Sequence, residues 1–453
     1  MTDLTLAELA AAVRAREVSP VELAEEYLGR IDRENDEVGA YLTVDHEGAL
    51  AAAREAEALV LSGRRDLPVL CGVPVSVKDT WPVKGLRYTS GSKVFAERVA
   101  EVDAAVVTQL RQAGMVLLGK TNAAEFGCSS YTETVFGAAR NPHDLARTAG
   151  GSSGGAAASV AAGLAPAAQG SDGGGSVRIP AACCGLVGIK PTRGRVSPAP
   201  GPDSAGLATA GPIARTVADA ALLLDVLSTA RPGDTHQLPP TPPGHFASSA
   251  ERDPGRLRIG VLEGQPNDDP WCRRACEDTA ALLADLGHDV EEAAPTVPDD
   301  YRDDFTVVWS VLAASVPVPA EREQDLLPLT RWLREKARGY DAVTLMSALG
   351  SMQATARRIA DRYDRFDVVL SSATATLPPL VGGLVDADPA RTFENMLEFH
   401  PLTPLANITG QPSLTAPALR TPGGLPAGVL LTGRYGAETT LISVAAQLER
   451  ARR

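Results

Sequence analysis

The 453-residue chain reads as an α/β protein. Three features lead there: amphipathic helical segments with capping signals near the start, short all-apolar runs of strand length between helices, and a central Ala/Gly/Ser stretch suited to packing a helix close to a sheet. Hydrophobic residues make up 44% of the chain and charged residues 22%, a globular rather than a disordered balance. With 43 Lys+Arg against 56 Asp+Glu the net charge is −13. That sign argues against nucleic acid or an anionic membrane as partner. No apolar run reaches the roughly 18 residues of a membrane helix. No signal-peptide pattern opens the chain, and six cysteines are too few and scattered for a disulfide framework. The expectation is a cytoplasmic globular protein.

The elements follow in order. Thr5-x-x-Glu8 and Ser19-Pro20-x-Glu22 fit the helix capping box, the second with Pro at the first helical position. Leu23, Tyr27, Leu28 and Ile31 then recur on one helical face, so residues 1–65 are assigned to N-terminal helices. Cys71 to Asp79 reads as a strand ending in a turn. Asp103 is expected to open a helix through Leu110, with Gly114 as its stop and Met115 to Leu118 as a buried strand. Across 149–176 the texture predicts a loop, a small-residue helix around Ala156 to Leu164, and a second loop. Residues 231–255 hold Pro232, Pro239, Pro240, Pro242, Pro243 and Pro254, an exposed connection. Leu257 to Leu262 then reads as a strand, Cys272 to Leu286 as a helix stopped by Gly287, and 300–365 as mainly helical. The whole is read as a single domain, with a core over 66–230 and its second half over 256–453.

Chemistry concentrates in three segments: GVPVSVKD (72–79), AGGSSGG (149–155) and GSDGGGSVRIP (170–180). Ser176 follows Gly173, Gly174 and Gly175, whose missing Cβ atoms let successive N–H groups point into one concavity. A serine oxygen beside such donors suits acyl transfer, because the oxyanion of the tetrahedral intermediate is hydrogen-bonded as it forms. The serine needs a base. None of the six histidines lies in these segments, and Lys78, at the end of an apolar run where burial favours the neutral amine, is the more economical choice. A Ser-His-Asp arrangement stays open, since its members need not be neighbours in sequence.

The segments Gly150 to Gly155 (GGSSGG) and Ser171 to Pro180 (SDGGGSVRIP), at this spacing and with Lys78 upstream, resemble the amidase signature family. The flanking segments GKTNAAEFG (119–127), FGAARNP (136–142), CGLVGIKPTRGRVS (184–197), GPIARTVADAA (211–221), NITGQPSLTAPA (407–418) and GLPAGVLLTG (424–433) are also similar to the family's. The resemblance implies a large mixed β-sheet covered by helices on both faces. It also implies a triad of Ser176 as nucleophile, Ser152 as a bridging serine beside a cis peptide, and Lys78 as base. Backbone N–H groups of Gly173, Gly174, Gly175 and Ser176 would hold the oxyanion, with Ser153, Asp172 and Arg178 in support. Cys128 and Ser129 would line the substrate pocket, whose variable helices lie around 300–400. The family uses no metal or organic cofactor, acts on a small-molecule amide, and is often homodimeric.

Several other patterns weigh less. Gly114 to Thr121 matches the phosphate-loop pattern GxxxxGK[ST], but its Met-Val-Leu-Leu interior suits a buried strand. Cys272 and Cys276 share a helix face without further ligands for a metal, and Cys183 and Cys184 read as small buried hydrophobes. The histidines read as surface or structural groups. Within the family, PAPGPDSAGLATAGPIART (198–216) departs from the glutamine-hydrolysing A subunit of tRNA-dependent amidotransferases, and Gly173 and Gln411 look more like free-standing amidases. An amide-forming acyltransferase using the same acyl-enzyme is the other alternative.

Overall fold

Eleven strands join into one mixed sheet that takes members from both sides of the proline-rich connection. The computed structural model describes residues 4–262, 268–293 and 301–452. In chain order the first elements are α1 (Leu6–Arg14), α2 (Pro20–Val38), β1 (Tyr41–Val44), α3 (His46–Leu61), β2 (Pro74–Lys78), α4 (Ala105–Gln112) and β3 (Val116–Thr121). Two short hairpins follow, β4 (Glu133–Thr134) with β5 (Gly137–Ala138) and β6 (Arg140–Asn141) with β7 (Asp144–Thr148). Next come α5 (Gly154–Ala161), β8 (Ala167–Asp172), α6 (Arg178–Cys184), β9 (Val187–Lys190), β10 (Thr209–Ala214) and α7 (Val217–Leu227). Beyond the connection lie β11 (Arg258–Leu262), α8 (Pro270–Asp285), β12 (Asp289–Ala293), α9 (Tyr301–Ser315), α10 (Pro328–Arg338) and α11 (Ala342–Tyr363). The chain ends with β13 (Val368–Ser372), α12 (Pro389–Phe399), α13 (Thr403–Thr409), β14 (Ser413–Arg420), β15 (Pro426–Gly433) and α14 (Glu438–Ala451).

The spatial order is β1-β3-β2-β8-β10-β9-β14-β15-β13-β11-β12. Strand β2 runs parallel to both β3 and β8, with Ser76 opposite Ala168 and Val77 opposite Gln169. Their carboxyl ends therefore emerge on one edge, which brings Lys78, Ser171 and Asp172 together. That edge is where open α/β sheets commonly place ligands.

Local chemistry explains most of the elements. Thr5 and Glu8 close a reciprocal capping box on α1, and the Ser19 hydroxyl accepts from the backbone of Val21 and Glu22 at the start of α2. Every residue of β2 and β3 is buried, as continuous apolar runs in a parallel region require. The phosphate-loop match is thus a strand, and Lys120 within it is ion-paired to Asp79 at 2.8 Å. Helix α5 touches β2, β8 and β10 and must be made of small residues. A Cβ on Gly155 would lie 2.4 Å from the Ala40 carbonyl oxygen and 2.5 Å from the Asn122 nitrogen.

Two expectations are corrected. Asp103 does not cap α4, which starts after Ala104 without a side-chain cap. Its carboxylate instead accepts from the Lys84 backbone N–H and pairs with Arg111. The loop expected after the small-residue helix is largely strand β8, paired along its length to β10. Its Ala-Ala-Gln-Gly-Ser-Asp composition carries no β-branched signal, so pairing on both sides overrides weak local propensity.

Candidate active site

Lys78 stands at the end of β2 with its side chain fully buried. Its Nζ lies 2.7 Å from Ser152 Oγ and 2.9 Å from Ser171 Oγ. Burial pushes its pKa from the ordinary 10.5 down to about 7, against the opposing pull of the Asp172 carboxylate. Ser152 sits in the turn before α5, and the Gly151–Ser152 peptide is cis. Ser153, next in line, donates its backbone N–H to the Ser176 carbonyl oxygen at 3.3 Å. The Ser153 hydroxyl meanwhile bonds to both the backbone carbonyl and the N–H of Ser171. The two serine-bearing segments are therefore stitched to each other and to the end of β8.

Ser176 lies between β8 and α6 in a loop closed by Asp172. One carboxylate oxygen of Asp172 accepts from Gly175 N–H at 2.8 Å and the other from Val177 N–H at 3.1 Å. Arg178 binds the same carboxylate through Nε and Nη2, both at 2.9 Å. Burial alone would raise the Asp172 pKa, but the Arg178 charge and its hydrogen bonds outweigh it and hold the carboxyl well below the usual range. One expectation narrows here. Gly175 has its N–H committed to Asp172, so among the expected oxyanion donors only Gly173, Gly174 and Ser176 keep backbone N–H groups without a partner among the described residues.

A small cavity opens at Ser176, lined also by Gly127, Cys128, Ser129, Phe305, Trp309 and His400. Its free space is about 20 Å³, room for about one water, so admitting an acyl chain requires side chains of α9 or α12 to shift. Cys128 is buried, and burial pushes its thiol up to about 12, with Glu125 adding to the shift. It is therefore a lining group rather than a thiolate. Trp309 stacks on Phe305 and donates its indole N–H to the Cys128 carbonyl oxygen at 3.1 Å. The Ser129 hydroxyl is occupied by the Tyr131 carbonyl. A far larger cleft, about 440 Å³, lies between α14, β14 and the start of α7, near Arg215, Glu449 and Arg452, and none of the candidate residues lines it.

Some groups of the site were not singled out in the sequence. Ser171 lies inside a quoted segment, but its hydroxyl was not distinguished from its backbone. Asn407, also in a quoted segment, donates to Asp172 Oδ1 at 2.9 Å and to its carbonyl oxygen, and accepts from Arg178. His400, read as a surface or structural group, is buried against the cavity. It carries no signal of its own, because its neighbours in space come from segments more than 200 residues away. No cluster of His, Cys, Asp or Glu among the described residues is arranged to hold a metal ion. No helix among them is long and apolar enough to cross a membrane.

Comparison with known proteins decides the family. The sequence profile of the family described as Amidase matches residues 22–442. The chain belongs to the amidase signature family. AmiB2 of Mycobacterium tuberculosis, which carries the name of an amidase, is 40% identical over 464 residues, covering all of this chain and 97% of that one. The 6-aminohexanoate-cyclic-dimer hydrolase of Paenarthrobacter ureafaciens is 38% identical, covering 96% of this chain and 92% of its own. The structure of a 6-aminohexanoate cyclic dimer hydrolase complexed with substrate superposes with a TM-score of 0.91 at 34% identity, over 99% of this chain and 97% of that one. The mixed sheet with its helices is the architecture of this family, and the enzymes named among its relatives are amide hydrolases.

Proposed function

We propose that this amidase hydrolyses the C–N bond of a carboxamide through an acyl-enzyme on Ser176. The observation that carries the reading is the 2.7 Å contact between Lys78 Nζ and Ser152 Oγ in a fully buried setting. An amine with a pKa near 7 is substantially neutral at physiological pH and can take a proton. As Ser176 Oγ attacks the carbonyl carbon, its proton passes to Ser152 Oγ while the Ser152 proton passes to Lys78 Nζ. Lys78 keeps a hydrogen bond to Ser171, which holds the amine in place during the exchange.

The carbonyl oxygen becomes an oxyanion opposite the Gly173, Gly174 and Ser176 N–H groups. Collapse breaks the C–N bond, and the relay returns its proton to the departing nitrogen, releasing ammonia or an amine. Water then repeats the sequence on the ester, giving the carboxylic acid and free Ser176. Each step conserves the single proton held between the serines and Lys78. Asp172 and Arg178 act as positioning residues that fix the loop.

Intact-mass spectrometry of the protein and of Ser176→Ala, each mixed with a panel of amides, tests the reading. An acyl adduct or released acid with the parent and not with Ser176→Ala supports it. Adduct formation by Ser176→Ala would overturn the choice of nucleophile, and amide rather than acid produced in the presence of added amines would favour acyl transfer over hydrolysis.

A further inference from the structure

His400 lies between α12 and α13 and faces the same cavity as Ser176. Its protonation pattern follows from its neighbour. The Thr403 hydroxyl lies 2.7 Å from the Gly174 carbonyl oxygen and 3.1 Å from His400 Nδ1. A carbonyl oxygen only accepts, so the single hydroxyl proton of Thr403 goes to Gly174. The contact to Nδ1 is then a hydrogen bond only if Nδ1 carries the proton and donates it to Thr403 Oγ1. Burial drives the ring pKa down to about 4, so the imidazole is neutral and has one proton to place. Nε2 is left with a bare lone pair, and it has no hydrogen-bond partner among the described residues although the side chain is only 5% exposed.

We propose that His400 Nε2 is a specificity-determining acceptor in the acyl pocket, selecting substrates whose acyl portion carries a hydroxyl or N–H donor over plain hydrocarbon acyl groups. The remaining lining, with Phe305, Trp309, Phe393, Met396 and Leu397, is apolar. An acceptor set in such walls is dry, so a ligand that reaches it with a donor recovers a hydrogen bond. A ligand without a donor leaves Nε2 buried and unpaired. A pocket built to hydrogen-bond a substrate group discriminates by this asymmetry. The inference rests on the proposed catalytic site only for the identity of the cavity, and binding tests it apart from turnover.

The experiment compares butyramide with 2-, 3- and 4-hydroxybutyramide binding to Ser176→Ala by calorimetry, with and without His400→Phe. At least one hydroxybutyramide should bind about tenfold more tightly than butyramide, and His400→Phe should bring the two to parity. His400→Gln, which can place an oxygen near the Nε2 position, should keep part of the preference. In Ser176→Ala labelled with nitrogen-15, the His400 signals should show Nδ1 protonated and Nε2 bare, with Nε2 shifting when the preferred ligand binds. This reading needs no further variant to fold. A protonated Nε2, no hydroxyl preference at any chain position, or a preference that survives His400→Phe would each overturn the inference. Turnover by the parent reports separately: a hydroxyl preference without hydrolysis of any of the four amides would sink the hydrolase reading for them and leave His400 standing.

Discussion

Asp172 and Arg178, six residues apart, form a two-pronged ion pair in which neither side chain is exposed, with Nε to Oδ2 and Nη2 to Oδ1 both at 2.9 Å. The pair clasps the loop that carries Ser176, and Asn407 from α13 completes it with bonds to both partners. Two distant parts of the chain are thus fastened at the nucleophile. Removing one member leaves a buried charge uncompensated, which generally costs about 3–5 kcal/mol. Arg178→Met should lower stability by that amount in urea unfolding at pH 7. The sign with pH follows from the depressed Asp172 pKa: the contribution is fully present above the unfolded value near 3.8 and is lost as pH falls through the folded one. The gap between parent and Arg178→Met should therefore hold at neutral pH and close under strong acid. Equal stability at pH 7 would mean that the clasp contributes nothing net.

The buried amine of Lys78 leads to a pH-rate prediction. Deprotonation near pH 7 is required for the proposed relay, so kcat/KM should rise about tenfold per pH unit below that point and level off at mildly alkaline pH. Lys78→Met should lower kcat by about 10²–10⁴-fold and abolish the rise. Stability should move the other way. Between about pH 7 and 10.5 the unfolded chain holds a proton on this lysine that the folded chain lacks, so stability climbs with pH across that window. Lys78→Met should be more stable than the parent at pH 7, and the difference should shrink as pH approaches 10.5. Lys190, also lowered to about 7 by burial, adds the same slope to both proteins and cancels in the comparison.

The glycine triplet offers a contrast between neighbours. Gly175 has φ +128°, and a Cβ there would lie 2.4 Å from Thr403 Oγ1. Gly174 has ordinary φ, and its Cβ would come no closer than 3.3 Å to a Phe305 ring carbon that can give way. Gly175→Ala should cost at least about 1–3 kcal/mol from backbone strain alone and disrupt the Asp172 bond to its N–H. Gly174→Ala should fold with near-parent stability. Thermal melts of the two variants check this, and similar losses in both would show that the loop tolerates or rejects Cβ atoms without regard to conformation.

Much of this site was legible because its chemistry is local. Lys78 ends an apolar run, Ser152 and Ser176 sit among glycines, and Asp172 and Arg178 lie within one ten-residue segment. What stayed hidden depends on where distant segments meet. Nothing near position 400 says that His400 will face Ser176, since α12 and α13 reach the site through packing against α6 and α9 to α11 rather than through a motif. The engagement of Gly175 N–H by Asp172 was equally out of reach, because a run of three glycines announces flexible donors without saying which are already taken. Strand β8 was read as loop for the opposite reason: its small, polar residues are strand only by virtue of β2 and β10 on either side.

Cys128 gives the final test, because it separates lining from chemistry. Its thiol touches the cavity, yet a pKa near 12 leaves essentially no thiolate at neutral pH. The bond that anchors Trp309 at this position is made by the Cys128 backbone carbonyl, so changing the side chain leaves it intact. Cys128→Ala should therefore retain kcat within a few-fold on a small amide, while Ser176→Ala loses it. The alanine variant also removes a sulfur from a cavity with room for about one water. Its KM should accordingly fall for acyl chains slightly bulkier than the parent prefers. Steady-state kinetics over a series of acyl lengths reads both effects, and a loss of kcat in Cys128→Ala comparable to that of Ser176→Ala would place the thiol in the chemistry after all.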